Sequence, residues 1–327
     1  MRAMLSVDEV SRLIQAGERI LLAGDEGLLR RLPHGDWVGG TSPYFIGEAG
    51  GVKTDSQVFA STLPAEVTGF ETRFYTVDSV SELVGDEPPH GFSFVIIPAF
   101  TAIHQAFAEN IPSYDGVFDK PLVGWVSGVA AEEAGRRTPK VVDGRTGQWA
   151  EDKAICLHAE LRDNVWAEVG IVNPFRPGEG DVITVDRPAF SVNRAMVNGR
   201  PVSLGGYFTE RGIDVRLPLV ANYSGAMVNV SVRSVDSVSG TVEFFAPLFP
   251  HIDYRLALPI DDYAAAFARE IDRLALDPVL SMNCVLNYLY GNLEGKRTGE
   301  FVGPITFGEI AYGLLNQTLV YMQLRRA

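Results

Sequence analysis

Cysteine is almost missing from this chain of 327 residues, which holds only Cys156 and Cys284. Two thiols build neither a disulfide framework nor a four-cysteine zinc site, and their scarcity fits a reducing compartment. Histidine is thin as well. His34, His90, His104, His158 and His251 stand far apart, and no Pro-Cys-x-x-Cys completes the deaminase-like fragment His158-Ala159-Glu160. Neither a metal site nor a cofactor is expected. Positive charge is short: 28 Lys and Arg stand against 41 Asp and Glu, a net charge of −13. The nearest approach to a basic run, Arg136-Arg137-Thr138-Pro139-Lys140, is flanked by Glu132 and Glu133, so nucleic acid is not an expected partner. No Gly-x-Gly-x-x-Gly or Gly-Lys-Ser/Thr string offers a phosphate cradle. Long hydrophobic runs are lacking too. The stretch from Phe92 to Phe107 carries Ser93, Pro98, Thr101, His104 and Gln105, too short and too polar to span a bilayer. The first residues turn acidic at Asp8-Glu9 before any apolar segment develops, so no secretory leader is expected. These absences point to a cytoplasmic protein.

What remains is the composition of a packed protein, 46% hydrophobic and 21% charged. At roughly 150 residues per domain the length suggests two domains. Ser6-Val7-Asp8-Glu9 is a capping box that opens a helix closed by Gly17. A buried strand over Arg19 to Ala23 turns through Gly24-Asp25-Glu26 into a helix from Leu28. Phe92 to Ile97 and Leu122 to Val126 read as strands, with a short helix from Thr101 to Asn110 between them. Lys153 to Asn164 and Val165 to Val172 read as a strand pair turning at Arg162-Asp163-Asn164. After residue 185 short apolar runs alternate with Asn198-Gly199, Gly205-Gly206 and Arg211-Gly212 turns, a strand-rich texture in which Val228 to Val232 reads as a half-exposed strand. Asp261 to Leu276 is a strong amphipathic helix. The expected fold is mixed α/β: two packed sections, 1–185 and 186–327, with mixed sheets flanked by helices.

An internal echo suggests a duplication. Gly39-Gly40-Thr41-Ser42 leads to Gly47-Glu48 and the strand Gln57 to Ala60; Gly303-Pro304-Ile305-Thr306 leads to Gly308-Glu309 and the strand Asn316 to Val320. The pattern places Glu48 and Glu309 in equivalent loops beside hydroxyl groups, where a ligand ammonium would meet charge and hydrogen bonds. Gly40, Thr41, Ser42, Glu48, Thr306, Glu309, Asn316 and Thr318 are therefore the candidate ligand-binding residues, with Arg194 or Arg216 available for a ligand carboxylate. No third group marks either glutamate as a general acid or base. Two rivals stand beside a binding protein: a hydrolase using Cys156 with His158 or the Thr41-Ser42 hydroxyls, and an assembly protein without a small ligand.

The same residues resemble a known family. Gly39 to Ser42 with Gly47-Glu48 is similar to the early signature of FIST N domains, and Pro121 to Gly128 to their second glycine-bearing strand. Pro174 through Thr184 resembles the closing segment of that domain, and Val197-Asn198-Gly199-Arg200-Pro201-Val202 the opening of FIST C. Gly303 to Ile310 with Asn316-Gln317-Thr318 is similar to the FIST C end. The chain departs from the pattern at Gly40, where the signature carries cysteine, and in the bulk of Pro43-Tyr44-Phe45. The resemblance implies a stand-alone sensory protein that binds a small molecule, amino acids among the candidates, and signals to a partner.

Overall fold

The computed structural model describes residues 1–223, 225–274 and 277–326. Its fold is mixed α/β, with mixed sheets flanked by helices, and the same pattern of elements occurs three times.

In the first unit the outer strand Arg2–Leu5 leads through helix α1 (Val7–Gln15) to the strand Ile20–Gly24, then through α2 (Glu26–Leu29) to the parallel strand Trp37–Thr41. A hairpin follows, Tyr44–Gly47 and Gly50–Lys53, and the strand Val58–Thr62 returns antiparallel to Ile20–Gly24. The second unit repeats this with Val67–Tyr75, α3 (Glu82–Gly85), Gly91–Pro98, α4 (Ala102–Asn110), Leu122–Ser127, the hairpin Val141–Asp143 and Gln148–Ala150, and the return strand Ala154–Leu161. The third begins with Val165–Val172. A strand-rich insertion then carries three three-stranded sheets and α5 (Leu204–Glu210) before the pattern resumes. It continues with α6 (Tyr263–Asp272), Leu280–Cys284, α7 (Val285–Tyr290), Gly303–Thr306, the hairpin Glu309–Ala311 and Gly313–Leu315, and Leu319–Arg326.

Each unit gives its hairpin away. Tyr44–Gly47 pairs with Gly303–Thr306 of the third unit, Glu309–Ala311 with Leu122–Ser127 of the second, and Val141–Asp143 with Trp37–Thr41 of the first. The result is three six-stranded sheets of the same strand order, each finished by a neighbour's hairpin.

The sheets enclose a shared core to which all three contribute, including Leu21, Phe59, Phe94, Trp125, Met282 and Met322. Helices cover the outer faces: Val10 and Ile14 of α1 pack over the first sheet, Ile103 and Phe107 of α4 over the second, Phe267 and Ile271 of α6 over the third. Strands covered on both faces read as continuous apolar runs, which is why Ile20 to Ala23 and Phe92 to Ile97 are legible as strands. The Ser6–Glu9 capping box forms as expected, with Ser6 N donating to Glu9 Oε2 at 2.8 Å and Glu9 N to Ser6 Oγ at 3.3 Å.

Several elements differ from expectation. Ala154–Leu161 and Val165–Val172 do not pair with each other; the first lies between two strands of its own unit, the second on Leu319–Arg326. The boundary near 185 falls inside the insertion, and hydrogen-bonded strands join residues on both of its sides. Val228 to Val232 is buried on both faces because Asn229 and Ser231 find partners inside. The helix expected over Asp261 to Leu276 spans Tyr263–Asp272; residues 275 and 276 lie outside the described residues.

Candidate functional site

The three parallel pairs end in hydroxyl residues, Thr41 opposite Gly24, Ser127 opposite Pro98 and Thr306 opposite Cys284. Here the units are tied to one another. Gly128 N donates to Thr41 O at 2.8 Å, Phe307 N to Val126 O at 2.9 Å, and the Ser42 hydroxyl to Ile305 O at 2.6 Å. Among the described residues, a thiol, a carboxyl and several amides are buried together at the strand ends of the third unit.

Glu309 is the centre of that cluster. Its Oε2 accepts from Thr318 Oγ1 at 2.8 Å and Thr318 N at 3.3 Å, and the buried Cys284 thiol is near enough to influence it. Full burial pushes its pKa up to about 8, against the opposing effect of these donors. Thr306 supports a protonated Glu309 independently. Its single hydroxyl proton has three oxygens in reach: Gly308 O at 3.1 Å, Asn283 O at 3.3 Å and Glu309 Oε1 at 3.4 Å. A proton on Oε1 resolves the competition, since the carboxyl then donates to Thr306 Oγ1 while the threonine donates to Gly308 O. Burial also raises the Cys284 thiol, with the Glu309 charge as the next cause.

Amides surround this pair. Asn287 Nδ2 donates to Asn283 Oδ1 at 2.9 Å and Thr318 O at 3.2 Å, and Asn316 Nδ2 to Leu315 O at 3.0 Å. Asn283 Nδ2, Asn287 Oδ1 and Asn316 Oδ1 are buried without a partner. Each such group costs about 1–3 kcal/mol, so three in one place mark a region not built for stability alone. Gln317 carries the network outward. Its backbone is left-handed, φ 50°, a conformation that costs a non-glycine residue energy and is held here by side-chain bonds. Gln317 Oε1 accepts from Ser231 at 2.7 Å, and Nε2 donates to Arg216 O at 3.1 Å and toward the Tyr263 hydroxyl at 3.5 Å.

Arg216 and Tyr263 line an open cleft of about 440 Å³ beside α7. Asp214, Asp261 and Asp262 give it negative charge; Arg216 and Lys296 give it positive charge. Arg216 and Asp214 grip each other through Nε and Nη2 at 2.7 to 3.2 Å. Gln317, which reaches both Arg216 O and the Tyr263 hydroxyl of the lining, is what joins the cleft to the buried cluster.

The expected ligand residues divide accordingly. Thr306, Glu309 and Thr318 come together, Asn316 follows Leu315, the cross-strand partner of Glu309, and Ser42 reaches the same strand end through Ile305. Glu48 does not join them. It is exposed at the tip of the first unit's hairpin, whose Ile46 pairs with Gly303, whereas Thr306 ends that strand on the other side. Glu309 lies in a strand rather than a loop, so the two glutamates are not equivalent. Gly40 packs between sheets: a Cβ there would stand 2.8 Å from Ile96 and 2.9 Å from Trp125. Thr41 Oγ1 accepts from Lys140 N at 3.0 Å, and Arg194 is exposed on the insertion.

Cys156 and His158 are 3.9 Å apart, but the imidazole is held between Ser93 Oγ and the Tyr75 hydroxyl, each at 2.8 Å. Burial lowers His158 to about 4 and pushes the Cys156 thiol up, opposite to what an activated thiolate requires. Among the described residues no three His, Cys, Asp or Glu side chains converge as a metal site would need, and no helix is long and apolar enough to cross a membrane.

A ring of three hairpin-exchanging α/β units, with one polar cluster beside a charged cleft, defines the class of this protein. The chain belongs to the family of unknown function DUF6976, which matches residues 5–325. No curated protein matches it.

Proposed function

We propose that the protein binds a small zwitterionic ligand of the amino-acid class in the cleft beside α7, and that it is a FIST-like sensory protein passing occupancy to a partner. The observation that carries this reading is the Asp214–Arg216 pair at the cleft wall. A zwitterion can replace both halves of that pair, its carboxylate on Arg216 and its ammonium on Asp214 or a neighbouring aspartate. Gln317 supports a route inward, because it bonds to Arg216 O while the next residue, Thr318, holds Glu309. A ligand that prefers one setting of this strained turn would shift the population of that setting.

Calorimetric titration of the twenty amino acids at millimolar concentration tests the reading. At least one is expected to bind, and Arg216→Ala to weaken it by about tenfold or more, the loss of one charge-assisted hydrogen bond. Arg216 is exposed, so the variant is expected to keep the melting temperature of the parent protein. No binding by any amino acid, or binding indifferent to Arg216→Ala, removes it.

A further inference from the structure

The second unit buries a carboxyl group of its own. Glu87 follows α3 and is 4% exposed, and both of its carboxyl oxygens are without a hydrogen-bond partner. A buried carboxylate with no donor is strongly unfavourable, so its surroundings favour the protonated form. Burial accordingly pushes its pKa up to about 7, against the opposing charge of Lys120.

Ser93 is the hydroxyl that bears on Glu87, and its proton is committed elsewhere. The order of donors follows from Asp86, whose carboxylate is paired with Arg73 and can only accept. The Tyr75 hydroxyl donates to Asp86 Oδ2 at 2.7 Å, so its oxygen accepts from His158 Nε2–H at 2.8 Å. His158 Nδ1 is then an acceptor and takes the Ser93 proton at 2.8 Å. Ser93 Oγ has only lone pairs left for Glu87, which serve a protonated carboxyl and not a carboxylate.

The remaining donor is Lys120. Its ammonium donates to the Glu87 backbone carbonyl at 3.0 Å and not to the carboxyl. Lys120 also stands between two residues that hold the tip of the third unit's exchanged hairpin. The Leu122 carbonyl accepts from Tyr312 N at 3.0 Å, and the Phe118 ring lies 5.9 Å from the Tyr312 ring. Tyr312 is left-handed at φ 61°, a strained backbone that needs such holding. The other titratable groups linked electrostatically to Glu87 are Asp119, Cys156 and Tyr312 itself.

We propose that Glu87 and Lys120 form a proton-controlled latch on that hairpin. With Glu87 protonated, Lys120 stays on the carbonyl, and Phe118 and Leu122 hold Tyr312. When Glu87 releases its proton to solvent, the ammonium moves to the carboxylate, shifts the segment that carries it, and frees the hairpin tip. The latch does not depend on what binds in the cleft beside α7.

The test follows three signals of the intact chain by NMR from pH 5 to pH 9: the Glu87 carboxyl carbon, the Lys120 ammonium nitrogen and the Tyr312 amide. All three are expected to shift with one midpoint near 7, and Tyr312 amide exchange to quicken above it beyond the intrinsic effect of base. Glu87→Gln, isosteric with the protonated carboxyl, is expected to abolish the step at Lys120 and Tyr312. Lys120→Met is expected to raise the Glu87 midpoint by about one unit or more and to uncouple Tyr312 from it. Glu309, in the same hairpin, has its own pKa near 8, so Glu309→Gln is the control and is expected to keep the Glu87 step. A Glu87 midpoint near the ordinary 4.5 overturns the proposal. So does a Tyr312 signal that ignores Glu87, or one that follows it equally in Lys120→Met. Should a variant not fold, coincidence or divergence of the three midpoints in the parent protein decides.

Discussion

A carboxyl group with no access to water and a pKa near 8 makes stability depend on pH in a defined direction. Glu309 in the unfolded chain titrates near 4.5, so between that value and about 8 the folded state binds more protons than the unfolded one. Stability contributed by this residue is therefore full below pH 4.5 and falls as pH rises toward 8. Glu309→Gln loses a hydrogen bond at every pH but has nothing to titrate. Its melting temperature relative to the parent protein is expected to rise steadily from pH 5 to pH 8.5; a constant difference would mean that Glu309 is ionised throughout. His104 has the opposite sign. Its folded pKa lies below its ordinary value, so its contribution is present above about 6.5 and is lost as pH falls toward 4. Melting curves of His104→Gln are expected to show a weaker loss of stability than the parent protein between pH 6.5 and pH 4.

At the scale of elements, the exchange of hairpins demands close approach where strands cross from one unit to another. Gly128 stands at such a crossing. A Cβ there would lie 1.8 Å from the Phe307 ring, and the ring belongs to the segment that feeds the third unit's hairpin. Gly128→Ala is expected to destabilise the protein by about 3 kcal/mol or more in urea unfolding, the upper range for overpacking. Gly180→Ala, with open space around it, is the neutral control. The elements themselves were legible: the capping box, the doubly covered strands and the helix at Thr101 follow from local chemistry. Their partners were not. An apolar run that starts a sheet reads the same whichever strand lies beside it, so Ala154–Leu161 and Val165–Val172 suggest a hairpin that does not exist. The echo between Gly39–Ser42 and Gly303–Thr306 marks two of three equivalent strand ends; the third, Trp125-Val126-Ser127, keeps the hydroxyl but not the pattern around it. Half of the candidate site was visible as the hydroxyl and amide residues after Gly303. Asn283, Cys284 and Asn287 were hidden in an apolar run, although two asparagines four residues apart among Leu, Met, Val and Tyr are the signal that could have exposed them.

For the whole molecule, no third of the chain completes a sheet by itself. A fragment ending after residue 163 would lack the hairpin Glu309–Leu315 that finishes its second sheet, and its own hairpin Tyr44–Lys53 would have no sheet to join. Such a fragment is expected to show neither cooperative melting nor dispersed amide signals. A fragment that folds would mean that the exchanged hairpins are ornaments on independent units. The exchange has a further consequence for evolvability. Three separate copies trading arms in a circle would make an assembly that dissociates on dilution and must keep its three faces identical. Joined in one polypeptide, the same circle holds at any concentration, and each face is free to mutate alone. The buried cluster of Asn283, Cys284, Asn287 and Glu309 stands at the strand ends of the third unit, where one corner of a common frame differs from the matching ends at Thr41 and Ser127.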